Sequence, residues 1–314
     1  MRRLAVLFLL PLLLAGRPAA ADLVYVLNSS DATITVLDAF TRQEIRRILA
    51  LREVHHLVMS PDGRDLLVAD SGGNEIFFLD PATAELRRRE RISNPYHLDF
   101  SPDGRHLVIA SLRRNQVDIY DARGPALLAR LHMPEKPSHL AFSPDGRIVY
   151  VTLQGSGTVA AISLETRQAL WETPVGREPA GILWHRGRLI VGVMGGETFA
   201  VLNPETREVE REIPIGRGAH TIFAAPDGRA LWATSRVQSR LAEIDPDTLA
   251  VRRLIEMPGG PDCISFDPDG RLWVTLRWAG RIARVDPRTG EYEVIRVGRS
   301  PHGILVHPRR AELR

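Results

Sequence analysis

The chain has 314 residues, of which 44% are hydrophobic and 25% charged, and a single cysteine. One cysteine excludes an internal disulfide, so stability has to come from a buried core and from the architecture. The formal net charge of +3 invites a nucleic-acid reading, but Arg2, Arg3 and Arg17 are the only charges within residues 1–21; taking these three from 41 leaves 38 basic side chains against 38 acidic ones. If that segment is removed, the rest has no basic excess with which to displace counterions, and no nucleic-acid partner is expected.

Arg2 and Arg3 precede an apolar run from Leu4 to Leu14, broken only by Pro11, and Ala19-Ala20-Ala21 follows. This is the pattern of a secretory signal peptide, too short and wrongly flanked for a spanning helix. Cleavage is expected after Ala21, giving a signal peptide over 1–21 and one domain over 22–314. The mature protein is then periplasmic or secreted, with no membrane span. Lipid anchoring is excluded because no Cys stands at the cleavage point.

Beyond the leader the chain repeats. Pro-Asp-Gly turns recur at Gly63, Gly104, Gly146, Gly228 and Gly270, with His185-Arg186-Gly187 as a degenerate copy, at steps of 41 or 42 residues. Each period carries a short apolar run before the turn, such as His139-Leu140-Ala141-Phe142, and a second after it, such as Ile148-Val149-Tyr150-Val151. A third apolar run and a more polar fourth segment complete the unit. β-branched residues in runs of four to six, bounded by turn chemistry, predict strands. Four short antiparallel strands per repeat of about 40 residues make a propeller blade.

The second-strand signature occurs seven times, from Val24-Tyr25-Val26 to Trp273-Val274-Thr275, and so does the first-strand signature, from His56 to Gly303-Ile304-Leu305-Val306. The chain opens on strands two to four of a blade and closes on a lone first strand. The predicted fold is therefore an all-β, seven-bladed β-propeller, closed by pairing the C-terminal innermost strand with the three N-terminal strands. A monomer is expected. Leu23-Val24-Tyr25-Val26-Leu27-Asn28 with Thr33-Ile34-Thr35-Val36-Leu37-Asp38, and Lys136-Pro137-Ser138-His139 leading into Phe142-Ser143-Pro144-Asp145-Gly146-Arg147, resemble the YVTN repeat of YncE-like propellers. The resemblance implies fold over the whole mature chain and leaves function open, because propellers host binding platforms, lactonases, lyases and haem proteins.

Most repeated polar residues read as turn chemistry. Asp38, Asp80, Asp121, Asp245 and Asp286 end third strands, where each can cap its own turn. Trp232, Trp273 and Cys263 read as packing residues. The departures from the repeat are more informative. Counted along the repeat, the start of the innermost strand holds His56, His97, His139, Gly181, His220, Cys263 and Gly303, with His55 and His302 one residue earlier. Loops to the same channel-mouth face supply Arg113, Arg236 and Arg277, and the loops entering blades supply Arg177, Arg217 and Arg299. Tyr96 also lies there.

A ring of imidazoles rimmed by guanidinium groups points to an anionic small molecule, a cofactor or a periplasmic protein partner. The rival reading is a metal- or tetrapyrrole-dependent protein using His56, His97, His139 and His220, since imidazole ligates transition metals. Strands standing around a channel favour a ligand larger than a bare ion. Leu272-Trp273-Val274-Thr275-Leu276-Arg277 resembles the repeat of streptogramin B lyases, which carry Glu where this chain has Leu276. Gly216-Arg217-Gly218-Ala219 with Leu231-Trp232-Ala233-Thr234-Ser235 is similar to the haem d1 propeller of cytochrome cd1 nitrite reductase. Covalent c-type haem is excluded by the lack of a Cys-x-x-Cys-His motif. A lactonase-like hydrolase would need a carboxylate cluster that the sequence does not show.

Overall fold

The computed structural model describes residues 22–308 apart from Pro125 and Pro134, so the signal peptide expected over 1–21 lies outside the described residues. Twenty-eight strands form seven four-stranded antiparallel sheets around a central channel. Blade 1 is composite: the last strand, Pro301–His307, is innermost and pairs with Leu23–Asn28, which pairs outward through Thr33–Asp38 to Glu44–Leu49. Each other blade is four consecutive strands. These are blade 2 (54–91), blade 3 (97–132), blade 4 (137–174), blade 5 (179–214), blade 6 (219–256) and blade 7 (261–296). The predicted fold and its closure are both present.

Burial follows position within the blade. Second and third strands such as Leu66–Asp70 and Glu75–Leu79 are buried along their whole length, whereas outer strands such as Leu86–Arg91 are almost wholly exposed. The buried side chains form hydrophobic clusters at the junctions between neighbouring blades. The closing junction packs Val24 and Val26 of blade 1 against Trp273 and Ile282 of blade 7. Trp232, between blades 6 and 7, and Trp273 are both core, as expected.

The turns behave as their residues require. Gly63, Gly104, Gly146, Gly228 and Gly270 all have φ between +68° and +78°, and Gly187 of the degenerate turn has the same conformation at +78°. A side chain there would strain the backbone. The third-strand aspartates cap their own turns: Asp38 accepts from the Phe40 and Thr41 amides, and Asp245 from those of Asp247 and Thr248. Closure is locked beyond the ladder by Gly298 N donating to buried Asn28 Oδ1 (3.0 Å) and Arg299 N to Asp31 Oδ2 (2.6 Å).

Candidate functional site

The site is built by a defect shared by the innermost strands. In blade 2, Val54 pairs with Asp70 and Leu57 with Val68, so the inner strand carries one residue more than its partner. The same shift occurs in blades 1, 4, 5, 6 and 7. In blade 3 the Tyr96 amide bonds Ala110 O while His97 also faces Ala110. Such a β-bulge re-aims consecutive side chains. Threonines of the YVTN signature pin it. Thr152 Oγ1 accepts from His139 N (3.0 Å) and donates to Ala180 O of the next blade (2.9 Å). Thr275 does the same between Cys263 N (2.9 Å) and His302 O (2.9 Å).

Each blade therefore brings two residues to the channel mouth, in two tiers. Aligned on the ladder, the upper tier is His55, Tyr96, Ser138, Ala180, His220, Asp262 and His302. The lower tier is His56, His97, His139, Gly181, Thr221, Cys263 and Gly303. This corrects the position of His220, which stands level with His55 and His302 and not with His56. The innermost strand of blade 6 places Thr221, not His220, at the distance from the turn glycine that His56, His97 and His139 keep. Glycine is needed at position 181, where a Cβ would lie 2.6 Å from His220 O of the adjoining strand.

The imidazoles touch one another, contrary to the expectation of a ring standing clear around a channel. Ring centroids are 3.8 Å apart for His55–His302, 4.3 Å for His56–His97, 4.7 Å for His56–His302 and 5.1 Å for His97–His139. His220 stands at 5.7 Å from His139 and 6.1 Å from His302. His55, His56, His139, His220 and His302 are all buried and His97 is half-buried. They fill the mouth, and a tetrapyrrole would have to displace them to lie among them.

Asp262, which is not among the candidate residues read from the sequence, organises the upper tier. Its fully buried carboxylate lies 2.6 Å from His220 Nδ1 and 2.6 Å from His302 Nδ1, and accepts from Arg236 Nη2 (2.7 Å) and Arg277 Nη1 (3.2 Å). A carboxylate only accepts, so both histidines carry their proton on Nδ1 and turn a bare Nε2 elsewhere. His220 Nε2 receives Arg236 Nη2 at 2.7 Å. His302 Nε2 has no hydrogen-bond partner among the described residues, and neither do His97 Nδ1 and His139 Nε2. His56 Nδ1 lies 2.8 Å from Tyr96 O, so it too is protonated on Nδ1.

Burial sets the charge states. Desolvation, followed by its histidine neighbours, drives His55, His56 and His139 well below the usual imidazole range. Desolvation lowers His97 to about 3; desolvation aided by Arg236 lowers His220 to about 4. His302 falls to about 3 by desolvation, although Asp262 opposes this. Burial alone would raise Asp262, but Arg236, then His302 and His220, hold it well below the carboxylate range. The centre is thus a set of neutral imidazoles backed by one ionised carboxylate. Burial pushes the Cys263 thiol up, so it remains protonated.

The rim arginines do not form an open anion-binding ring. Arg113 pairs with Glu53 (2.6 Å), Arg299 with Asp31 (2.5 Å) and Arg177 with the Gly195 carbonyl. Arg236 and Arg277 are spent on Asp262, leaving Arg217 exposed. Sequence reasoning saw the residue types but missed these partners, because the acids lie on other loops.

The model of the YNCE-like beta-propeller family matches residues 11–310. The chain belongs to that family. No curated protein sequence matches this YncE-like chain significantly. Among solved structures it is similar to a functionally unknown protein from Desulfotomaculum acetoxidans (TM-score 0.80, 13% identity, 92% of this chain and 100% of that one). It is also similar to the dihydro-heme d1 dehydrogenase NirN (0.69, 18%, 94% and 77%) and to virginiamycin B lyase from Staphylococcus aureus (0.68, 15%, 80% and 87%). At these identities the likeness shows the propeller fold alone.

Proposed function

We propose that this YncE-like propeller is an exported metal-binding protein that holds one first-row transition-metal ion in the imidazole cluster at the channel mouth. His55, His56 and His302 are the ligands: their candidate donor atoms lie within 4.8 Å of one another and all three residues are buried. The observation that carries the reading is a bare, unpartnered His302 Nε2 with a carboxylate behind its Nδ1. That arrangement fixes the tautomer and orientation that metal-ligating histidines use. Neutral imidazoles with no competing proton are the form a metal requires, and nitrogen donors suit copper, nickel and zinc, with Cu(II) the tightest of the series. An anionic small molecule is less well served, since the rim guanidinium groups other than that of Arg217 already have acidic or carbonyl partners. The apolar leader, Leu4 to Leu14 followed by Ala19-Ala20-Ala21, supports a periplasmic location.

The test is metal analysis of protein purified untagged from the periplasm, followed by chelator-competition titration with Cu(II) and Zn(II). One equivalent bound by the wild type, and lost in both His56→Ala and His302→Ala but kept in the outlying His106→Ala, is the expected result. A folded wild type that takes up no metal more tightly than those two variants would end the proposal.

A further inference from the structure

Directly beneath the lower tier lies a cavity of about 150 Å³. Its ceiling is His56, His97 and His139, and its walls include the aliphatic side chains of Leu140, Ile182 and Ile222. No Asp, Glu, Lys or Arg lines it. The other polar groups there offer little: Thr221 Oγ1 is taken up by Thr234 Oγ1 and the Asp262 carbonyl, and Cys263 is a buried thiol. Two of the ceiling imidazoles, by contrast, each have a buried nitrogen without a partner among the described residues, His97 Nδ1 and His139 Nε2.

A wholly apolar cavity of this volume stays dry and accepts benzene, whereas here one end asks for a hydrogen bond. Burying an imidazole nitrogen unpaired is unfavourable unless something meets it. With no counter-charge in the walls, a carboxylate or ammonium ligand would lose its hydration for nothing. We propose that this cavity is a binding site for a small uncharged molecule, no larger than a phenol, whose apolar body fills the aliphatic walls and whose single hydroxyl-like group meets His97 and His139. The inference shares only His56 with the metal triad and takes its hydrogen bond from His97 and His139, and its test uses metal-free protein, so either reading can fail without the other.

The experiment is ¹⁹F transverse relaxation of 4-fluorophenol and of fluorobenzene with the chelator-treated mature chain. Both probes should broaden, with the phenol bound about fivefold more tightly, as expected for one added net hydrogen bond. Ile222→Phe, which fills the cavity, should abolish both signals, and Ile182→Phe serves if that variant does not fold. His97→Leu should keep fluorobenzene binding and reduce the preference for the phenol. Broadening of neither probe, broadening that survives both filling variants, or equal affinity for the two probes in the wild type would each overturn the proposal.

Discussion

Asp262 is the residue whose removal separates the structural role of the channel mouth from the metal-binding role proposed for it. It is fully buried and is the shared acceptor for His220, His302, Arg236 and Arg277. Asp262→Ala leaves Arg236 and Arg277, both largely covered, without their carboxylate. Breaking a buried ion pair by removing one partner costs about 3–5 kcal/mol, a large part of the about 5–15 kcal/mol that a domain has. Asp262→Asn keeps the shape but brings an amide that both donates and accepts. To satisfy its N–H, His302 has to shift its proton from Nδ1 to Nε2, which blocks the lone pair offered to a metal. Loss of such a supporting group lowers metal affinity by about 10–100-fold. Urea unfolding of metal-free protein should therefore show the alanine variant weakened by at least about 3 kcal/mol. Chelator competition should show the asparagine variant binding metal 10-fold more weakly or worse. A stability change below about 1 kcal/mol for alanine would refute the buried-charge argument. Unchanged affinity for asparagine would refute the positioning role.

Acid should weaken the metal-free protein. His97 and His302 at about 3 and His220 at about 4 stay neutral in the fold, while unfolded histidines protonate near 6.5. Their stability is complete above 6.5 and falls as pH drops toward those lower values, by about 2 kcal/mol per residue between pH 7 and 5; an unchanged melting temperature over that range would contradict it. Asp99 runs the other way, since burial raises it to about 6 and the Phe100 amide is its one hydrogen-bond donor among the described residues. Its contribution is complete below 3.8 and is lost as pH rises through 6, so Asp99→Asn should stabilise by about 1–3 kcal/mol at pH 7.5 but not at pH 4. Gly303→Ala places a Cβ 2.7 Å from Leu57 Cδ2 and 2.8 Å from His55 O, and should cost about 1–3 kcal/mol in urea unfolding. Deleting residues 300–314 removes the innermost strand of blade 1, and unchanged thermal melting would contradict its role in closure.

The fold was legible because a propeller writes its period into turn residues that local backbone geometry requires. The glycines at 63, 104, 146, 187, 228 and 270 all adopt positive φ, and even the copy lacking Pro-Asp keeps its Gly. The histidines were legible as residue types, but counting along the repeat put His220 in the wrong tier. The distance to the turn glycine, which Thr221 and not His220 shares with His56, His97 and His139, held the correct level. Asp262 was not legible as a centre because its partners, Arg236 and His302, come from different blades. The Thr at 152, 234 and 275 held the available signal. Each hydroxyl reaches the next blade's inner strand at the bulge, so the residues beside it face the channel.

Repeat inheritance alone does not account for the two tiers. Copying one ancestral residue would place one residue type around the ring, whereas the upper tier holds five types in seven blades and the lower tier groups its histidines in three adjacent blades. Nor does stability account for them. Three buried ring nitrogens of the two tiers, on His97, His139 and His302, lack partners among the described residues, and each such group costs about 1–3 kcal/mol. Aliphatic side chains of similar size would fill the mouth without that penalty. Unpaired nitrogens in a closed, neutral, carboxylate-backed cluster are an arrangement that a bound ligand compensates and an empty core does not. On the metal-binding reading proposed above, an ion at the channel mouth would supply the missing partner for His302 Nε2.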